Sequence, residues 1–247
     1  MAETRAADVP KMIRIDKLLD RHEPAPPTPF AVPVKTLLAQ FEKIPAATVS
    51  DVLREHGLLD CAFPGTITAL FPDRIVAGIA FTVKSSPNTR VTGEMTLRGQ
   101  MLDAVGEDAF VVWDTSADTH GTMWGGVMTA KVAGKGVKGA LIDGGIRDTA
   151  QIIGKNFPVY YRYKSPNGSL GRCQITHYEI PVKVGDVFVR PGDVIVADID
   201  GAVCVPREIA VDVLARAQEI LVNEDRIFEW VSQGRSVAEI SAAGGYF

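Results

Sequence analysis

The run richest in residue types that do chemistry is HGTMWGGVMTAKVAGKGVKGALIDGGIRD, residues 120 to 148. Near its end Arg147 and Asp148 stand side by side, after the buried, strand-like GALIDGG and at the opening of the next helical pattern. Arginine offers a planar fork of donors that matches a carboxylate, and aspartate offers a hard oxygen for a divalent cation. The carboxyl end of a strand is also where open α/β sheets bind ligands. Gly144 and Gly145, just before the pair, leave room for a ligand to approach the backbone. The plain alternative is a surface ion pair capping a helix, worth about 0 to 1 kcal/mol. Upstream, Trp124-Gly125-Gly126 leads into another helical pattern. The amides of Val127 and Met128 are then expected to be first-turn donors without an intrahelical acceptor, a seat for a carboxylate or oxyanion.

Other residues have two readings each. Asp118 and His120 fall in a loop near the same sheet edge, where His120 could bind a metal or relay a proton and Asp118 could orient water. A loop histidine bonded to backbone is the alternative. Lys84 and Arg172 are either substrate-side cations or solvated and ion-paired residues, and Trp124 either walls a pocket or packs. Gly134-Lys135-Gly136-Val137-Lys138-Gly139 satisfies GxGxxG, but it closes a helix and precedes a strand. The dinucleotide fingerprint needs the reverse order, so a helix cap and tight turn is the reading adopted.

These residues need a scaffold, and the pattern from Arg74 supplies one. RIVAGIAFTVKS, AFVVWDTS, GALIDGG and PVYYRYK read as strands, and EMTLRGQMLDAV, VMTAKVAGK and TAQIIGKN as the helices between them. That is βαβ grammar with parallel pairing. Residues 171 to 207 hold short β runs divided by VGD, RPGD and DIDG turns, so antiparallel or mixed sheet is expected there. IAVDVLARAQEILVNEDRIFEWVSQG reads as one long amphipathic helix ending near Gly234, followed by a small one. Before the sheet, VKTLLAQFEKI has helical spacing, and Thr48 with Asp51 reads as a capping box ahead of VSDVLREH, stopped at Gly57. RHEPAPPTPFAVP, with five prolines, reads as an extended strap after a short N-terminal helix.

The 247 residues, 46% hydrophobic and 23% charged, exclude disorder as the dominant state. A net charge of -4 gives no global field for tracking nucleic acid. No apolar run spans a bilayer, and the start of the chain lacks a signal-peptide core, so a cytoplasmic protein without membrane or nucleic-acid partners is expected. Cys61, Cys173 and Cys204 are far apart and read as reduced, mostly buried thiols without zinc spacing.

From about Ile44 to Glu229 the chain resembles the family that includes the regulator of ribonuclease activity A and the 4-hydroxy-4-methyl-2-oxoglutarate/4-carboxy-4-hydroxy-2-oxoadipate aldolases. The landmarks are GIAFTVKSSP, LDAVGEDAFVVWD, GGVMTAKVAGKGVKGALIDGGIRD and VRPGDVIVADIDGAVCVPRE, in that order. The resemblance implies an α/β fold, the RraA-like swivelling-type β/β/α domain with a mixed sheet and a long C-terminal helix. It would occupy residues 41–247 after an N-terminal extension, 1–40. Homotrimers or hexamers with active sites between subunits are implied as well.

In the aldolases of this family a pattern D-x20-R-D carries the site. Arg147 and Asp148 match its last two positions, implying substrate binding by Arg147 and a Mg2+ or Mn2+ ion on Asp148. The first position, which holds metal-bound water in the family, is Gly126 here. A glutamate from a neighbouring subunit's C-terminal helix has its counterpart in Glu224, with Asp225 adjacent. The expected activity is a divalent-metal-dependent lyase acting on a 2-oxo acid, by retro-aldol release of pyruvate or by oxaloacetate decarboxylation. Gly125, Gly126, Val127, Met128 and Arg147 would bind the substrate, with Arg147, Asp148, His120 and Glu224 as catalytic groups. Two alternatives stand beside it: hydration, dehydration or isomerisation of a hydroxy acid with His120 as acid and base, and a non-enzymatic protein that binds ribonuclease E.

Overall fold

The computed structural model describes residues 14–17 and 29–245. Of the short N-terminal helix only Asp16 and Lys17 fall among the described residues, both helical, and the first part of the proline strap lies outside them. Two helices come first, α1 (Val34–Phe41) and α2 (Ala46–Glu55), then β1 (Thr68–Ala69) and β2 (Val76–Pro87). The alternating stretch follows as α3 (Glu94–Ala104), β3 (Ala109–Asp114), β4 (Thr122–Trp124), α4 (Gly126–Ala133), β5 (Gly139–Ile146), α5 (Thr149–Gly154) and β6 (Val159–Lys164). Short strands β7 (Cys173–Tyr178), β8 (Val182–Val184), β9 (Val187–Val189), β10 (Val194–Asp198) and β11 (Gly201–Val205) lead to α6 (Ala210–Ser232) and α7 (Val237–Ala242).

One mixed sheet runs β1-β6-β5-β3-β2-β10-β11, with β4 added to β5 and β7 to β2. Its centre is parallel: β2 pairs β3, β3 pairs β5 and β5 pairs β6 in the same direction. Every residue of β3 and β5 is buried, as expected for strands covered on both faces. The edges are antiparallel, with β10 and β7 taking successive halves of the twelve-residue β2. This is the mixed α/β sheet with a long C-terminal helix that the pattern predicts.

Three apolar cores hold the layers. Against one face pack α3, α4 and α5 around Trp113, Trp124, Ile142 and Phe157. The β8-β9 hairpin covers Phe110, Val112, Leu141 and Tyr160 on the other. The third core joins α1, α2 and α6 to β10 and β11. The boundary drawn at residue 40 falls inside α1, whose Leu37, Leu38 and Phe41 are fully buried in that third core. Of the strap, Phe30 lies under the Arg207 guanidinium at 3.9 Å, a cation-π contact.

The capping box expected at Thr48 and Asp51 is absent. The helix begins earlier, at Ala46 after Pro45, and Thr48 is buried inside it. Its first amide is capped from afar, Ala46 N–H donating to Asp198 Oδ2 at 2.8 Å. Gly57 does end the helix, at φ 74°. The GxGxxG run also behaves as a cap and turn: Gly134 ends α4, and Gly136 turns at φ 76° toward β5. Among the described residues no helix is long and apolar enough to cross a membrane.

Candidate functional site

The strand β4 brings the two glycine-rich turns together. It pairs with the end of β5, Thr122 opposite Gly145 and Trp124 opposite Ile146, so both strands end at one edge. Arg147 N–H then donates to Trp124 O at 3.0 Å. Trp124 itself is anchored in the core, its Nε1–H donating to Thr129 Oγ1 at 2.8 Å and its ring stacked on Phe157. Beyond it Gly125 caps α4 without a side chain. A Cβ there would stand 2.8 Å from Asp148 Oδ2 and 3.3 Å from Arg147 Cγ, so the two turns are in direct contact.

Asp148 adopts the left-handed conformation, φ 54° and ψ 36°, which costs most side chains but is tolerated by aspartate. That backbone directs its Oδ2 to accept from Gly126 N–H at 3.2 Å, while Arg147 Nε lies 3.7 Å away. Both side chains remain well exposed, 48% for Arg147 and 38% for Asp148, as groups that receive a ligand must be. Since Thr129 N–H donates to Gly125 O, the first-turn amides left over belong to Val127 and Met128. No acceptor among the described residues is paired with either. Gly126, expected as a further substrate donor, already spends its amide on Asp148.

Two cavities meet at the pair. The larger, about 500 Å³, reaches from Arg147 and Asp148 past Gly125 and Met128 to α3 and Leu170. The smaller, about 380 Å³, runs along Thr149, Lys164 and Ser165. Lys164, a cation that no sequence motif places here, is thus next to Arg147 and Asp148. Arg98 is a second missed group. It is 9% exposed, paired with Glu94, and donates to Met123 O at 2.9 Å and Ser169 Oγ at 3.0 Å. Its guanidinium lies over the Trp113 ring. The Glu94-x3-Arg98 spacing, one helical turn apart, was the available signal.

Other expectations change. Gly144 and Gly145 do not admit a ligand: a Cβ would meet Thr115 at 3.1 Å in one case and the Tyr163 ring at 2.5 Å in the other. Tyr163 O–H donates to Gly121 O at 2.7 Å, and burial pushes its phenol up to about 12. Asp118 is buried, and its carboxylate accepts from Gly121 N–H at 2.8 Å, closing its own loop. His120 is exposed on that loop, outside the residues lining either cavity. Lys84 is ion-paired with Asp114 at 2.6 Å. Arg172 is exposed. Where the family pattern has its first aspartate, a Cβ on Gly126 would fall 1.9 Å from Gln151 Oε1, so the Gln151 amide fills that space. Glu224 lies in the outer half of α6 and lines neither cavity.

Below the site Asp143 is buried against Arg162, and desolvation raises its carboxyl above the usual range despite that guanidinium. The cysteines are free thiols, and burial pushes the buried Cys173 and Cys204 up, away from nucleophilic use.

Fold and site together define an α/β domain with a polar-headed, apolar-walled cavity at the carboxyl ends of its parallel strands. The chain belongs to the RraA-like family: the family model described as Aldolase/RraA matches residues 46–204. A solved structure described as one of the novel cellulases from microbes associated with the gut ecosystem is 53% identical, with a TM-score of 0.84, covering 87% of this chain and 97% of that one. Streptomyces coelicolor RraAS2, described as an unusual member of the RNase ES inhibitor RraA family, is 26% identical with a TM-score of 0.71, covering 84% and 100% of the two chains. A Halalkalibacterium halodurans protein provisionally named 4-hydroxy-4-methyl-2-oxoglutarate aldolase is 29% identical over 76% of this chain and 85% of its own. Protein DlpA of Legionella pneumophila, 24% identical over 82% of this chain, is far longer, and the match spans 33% of it.

Proposed function

We propose that the protein is a divalent-metal-assisted lyase that breaks a carbon-carbon bond in a 2-oxo acid. The observation that carries this reading is the meeting of Arg147, Asp148 and the unpaired Val127 and Met128 amides at the head of one cavity. The donor set suits Mg2+ or Mn2+. Asp148 has one oxygen occupied by Gly126 N–H, leaving Oδ1 as a hard ligand. Among the described residues no group of three His, Cys, Asp or Glu side chains surrounds it. A magnesium ion ordinarily keeps several waters and takes one or two carboxylates together with substrate oxygens. Asp148 would hold such an ion, which when bound polarises the keto oxygen as a Lewis acid.

The chain's own groups do the rest. Arg147 presents its fork to the substrate carboxylate, fixing the keto carbon beside Asp148. The Val127 and Met128 amides, fixed at a helix start, stabilise negative charge as it develops on oxygen. Lys164 is exposed, whereas a Schiff-base lysine is held in an apolar pocket. Retro-aldol release of pyruvate and decarboxylation of oxaloacetate use the same groups. In a homotrimer or hexamer, Glu224 would reach the cavity from a neighbouring subunit.

Two other readings gain less support. Glycoside hydrolysis, raised by the description of the 53% identical structure as a cellulase, needs two carboxyls flanking the scissile bond. Asp148 is the one carboxylate among the residues lining either cavity. Acid-base chemistry through His120 draws nothing from the geometry, because that residue lines neither cavity. Turnover of 4-hydroxy-2-oxo acids and oxaloacetate, measured after EDTA treatment and after Mg2+ or Mn2+ is restored, tests the proposal. Activity is expected to vanish and return, and Asp148→Asn should abolish the metal-dependent part. Undiminished turnover in the chelated enzyme would sink it.

A further inference from the structure

The larger cavity is built unevenly, and the unevenness points to a class of substrate. Its polar groups converge at the end formed by Arg147, Asp148 and the α4 amides. The other polar side chains in its wall are already engaged: Arg98 by Glu94, Met123 O and Ser169, and Thr122 Oγ1 by Asn167 O. Away from the head the wall is apolar, made by Met95, Leu102, Val127, Met128 and Leu170. Three of these are unusually open to solvent, Met95 at 67%, Val127 at 80% and Leu170 at 49%. Apolar walls with a few convergent polar groups are the common form of a small-molecule site.

Gly99 gives the wall its shape. Met95, Arg98, Gly99 and Leu102 recur at helical spacing, so they form one stripe of α3 facing the cavity. Glycine inside a helix costs roughly 1 kcal/mol relative to alanine and usually has a packing reason. Among the described residues none is found here, since a Cβ on Gly99 would meet none of them within 4 Å. What the missing side chain leaves is an open bay between Met95 and Leu102.

Resting on the lyase reading, we infer that the substrate is a 2-oxo acid with an apolar tail, branched alkyl or aromatic, whose tail lies in the bay at Gly99. A second carboxylate would find no uncommitted cation among the residues lining that bay. Lys164 lies in the other cavity.

The test measures binding of pyruvate, 4-methyl-2-oxopentanoate and phenylpyruvate to the full chain with Mg2+ by calorimetry, in the wild type and in Gly99→Leu and Leu102→Lys. Affinity should rise about fourfold per buried methylene, so that phenylpyruvate binds at least about tenfold tighter than pyruvate. Gly99→Leu fills the bay and should erase that gain while pyruvate binds as before. Leu102→Lys should weaken phenylpyruvate and spare pyruvate. Equal affinity for all three acids in the wild type overturns the inference and leaves the lyase reading standing. Equal weakening of all three by Gly99→Leu, with a changed assembly mass, assigns the rim to a subunit contact and also overturns it. If no acid binds, pyruvate included, both readings fall.

Discussion

At the scale of single residues the site depends on contacts between two turns that are some twenty positions apart in sequence. Gly125 is the sharpest case. Its φ of -163° is open to any residue, so alanine meets no backbone penalty there. The obstacle is Asp148 Oδ2, 2.8 Å from the new methyl. Asp148 is partly exposed and can swing away, so Gly125→Ala should keep its melting temperature within a few degrees while turnover falls roughly a hundredfold, the scale of losing one aligned polar group. Wild-type turnover in that variant would show that the Asp148 position does not matter to the chemistry. Arg147, Asp148 and the α4 amides were legible in the sequence because a charged pair and a double glycine beside helix starts announce themselves. The Gln151 amide in the space over Gly126 was not, since three-dimensional proximity alone places it there.

At the scale of elements, the parallel β2-β3-β5-β6 core and the long α6 were readable from periodicity, because buried strands and amphipathic helices each carry their own repeat. The three-residue β4 was not, being too short to show alternation, yet it sets the register between the two turns. Beside its pairing with β5, β4 is braced by the Glu94-Arg98 pair on α3. Arg98 ties Met123 O of β4 to Ser169 of the β6–β7 loop, and Glu94 Oε2 accepts from Ile175 N–H of β7. Glu94 is 1% exposed. Glu94→Gln keeps an acceptor for Ile175 and leaves the Arg98 charge buried without its counter-charge, a change that typically costs about 3 to 5 kcal/mol. Chemical denaturation should therefore show a lower midpoint at unchanged slope. The double variant Glu94→Gln/Arg98→Met should recover part of that loss. A Glu94→Gln protein as stable as the wild type would mean that the pair is not holding the wall.

At the scale of the whole molecule, α6 divides into two halves with different surroundings. Its buried residues, Ala210, Val213, Leu214, Ala217 and Ile220, all fall in the first half, against α1, α2 and the β10-β11 edge. At 1.5 Å per residue the helix is roughly 35 Å long, so its second half extends well past that core. There Val222, Phe228 and Val231 are 62%, 71% and 49% exposed, and Glu224 lies among them. Apolar groups at i and i+3 on an uncovered helix face gain by burial against another chain. Should a second copy cover them in the proposed trimer or hexamer, Phe228→Asp would place a charge in that contact without touching the fold's own cores. Light scattering should then report a smaller assembly while circular dichroism stays unchanged. Glu224→Gln supplies the complementary measurement: turnover should fall with the assembly intact if this residue serves a neighbour's cavity. An unchanged mass for Phe228→Asp would separate the outer half of α6 from assembly, and full activity in Glu224→Gln would make each cavity self-sufficient.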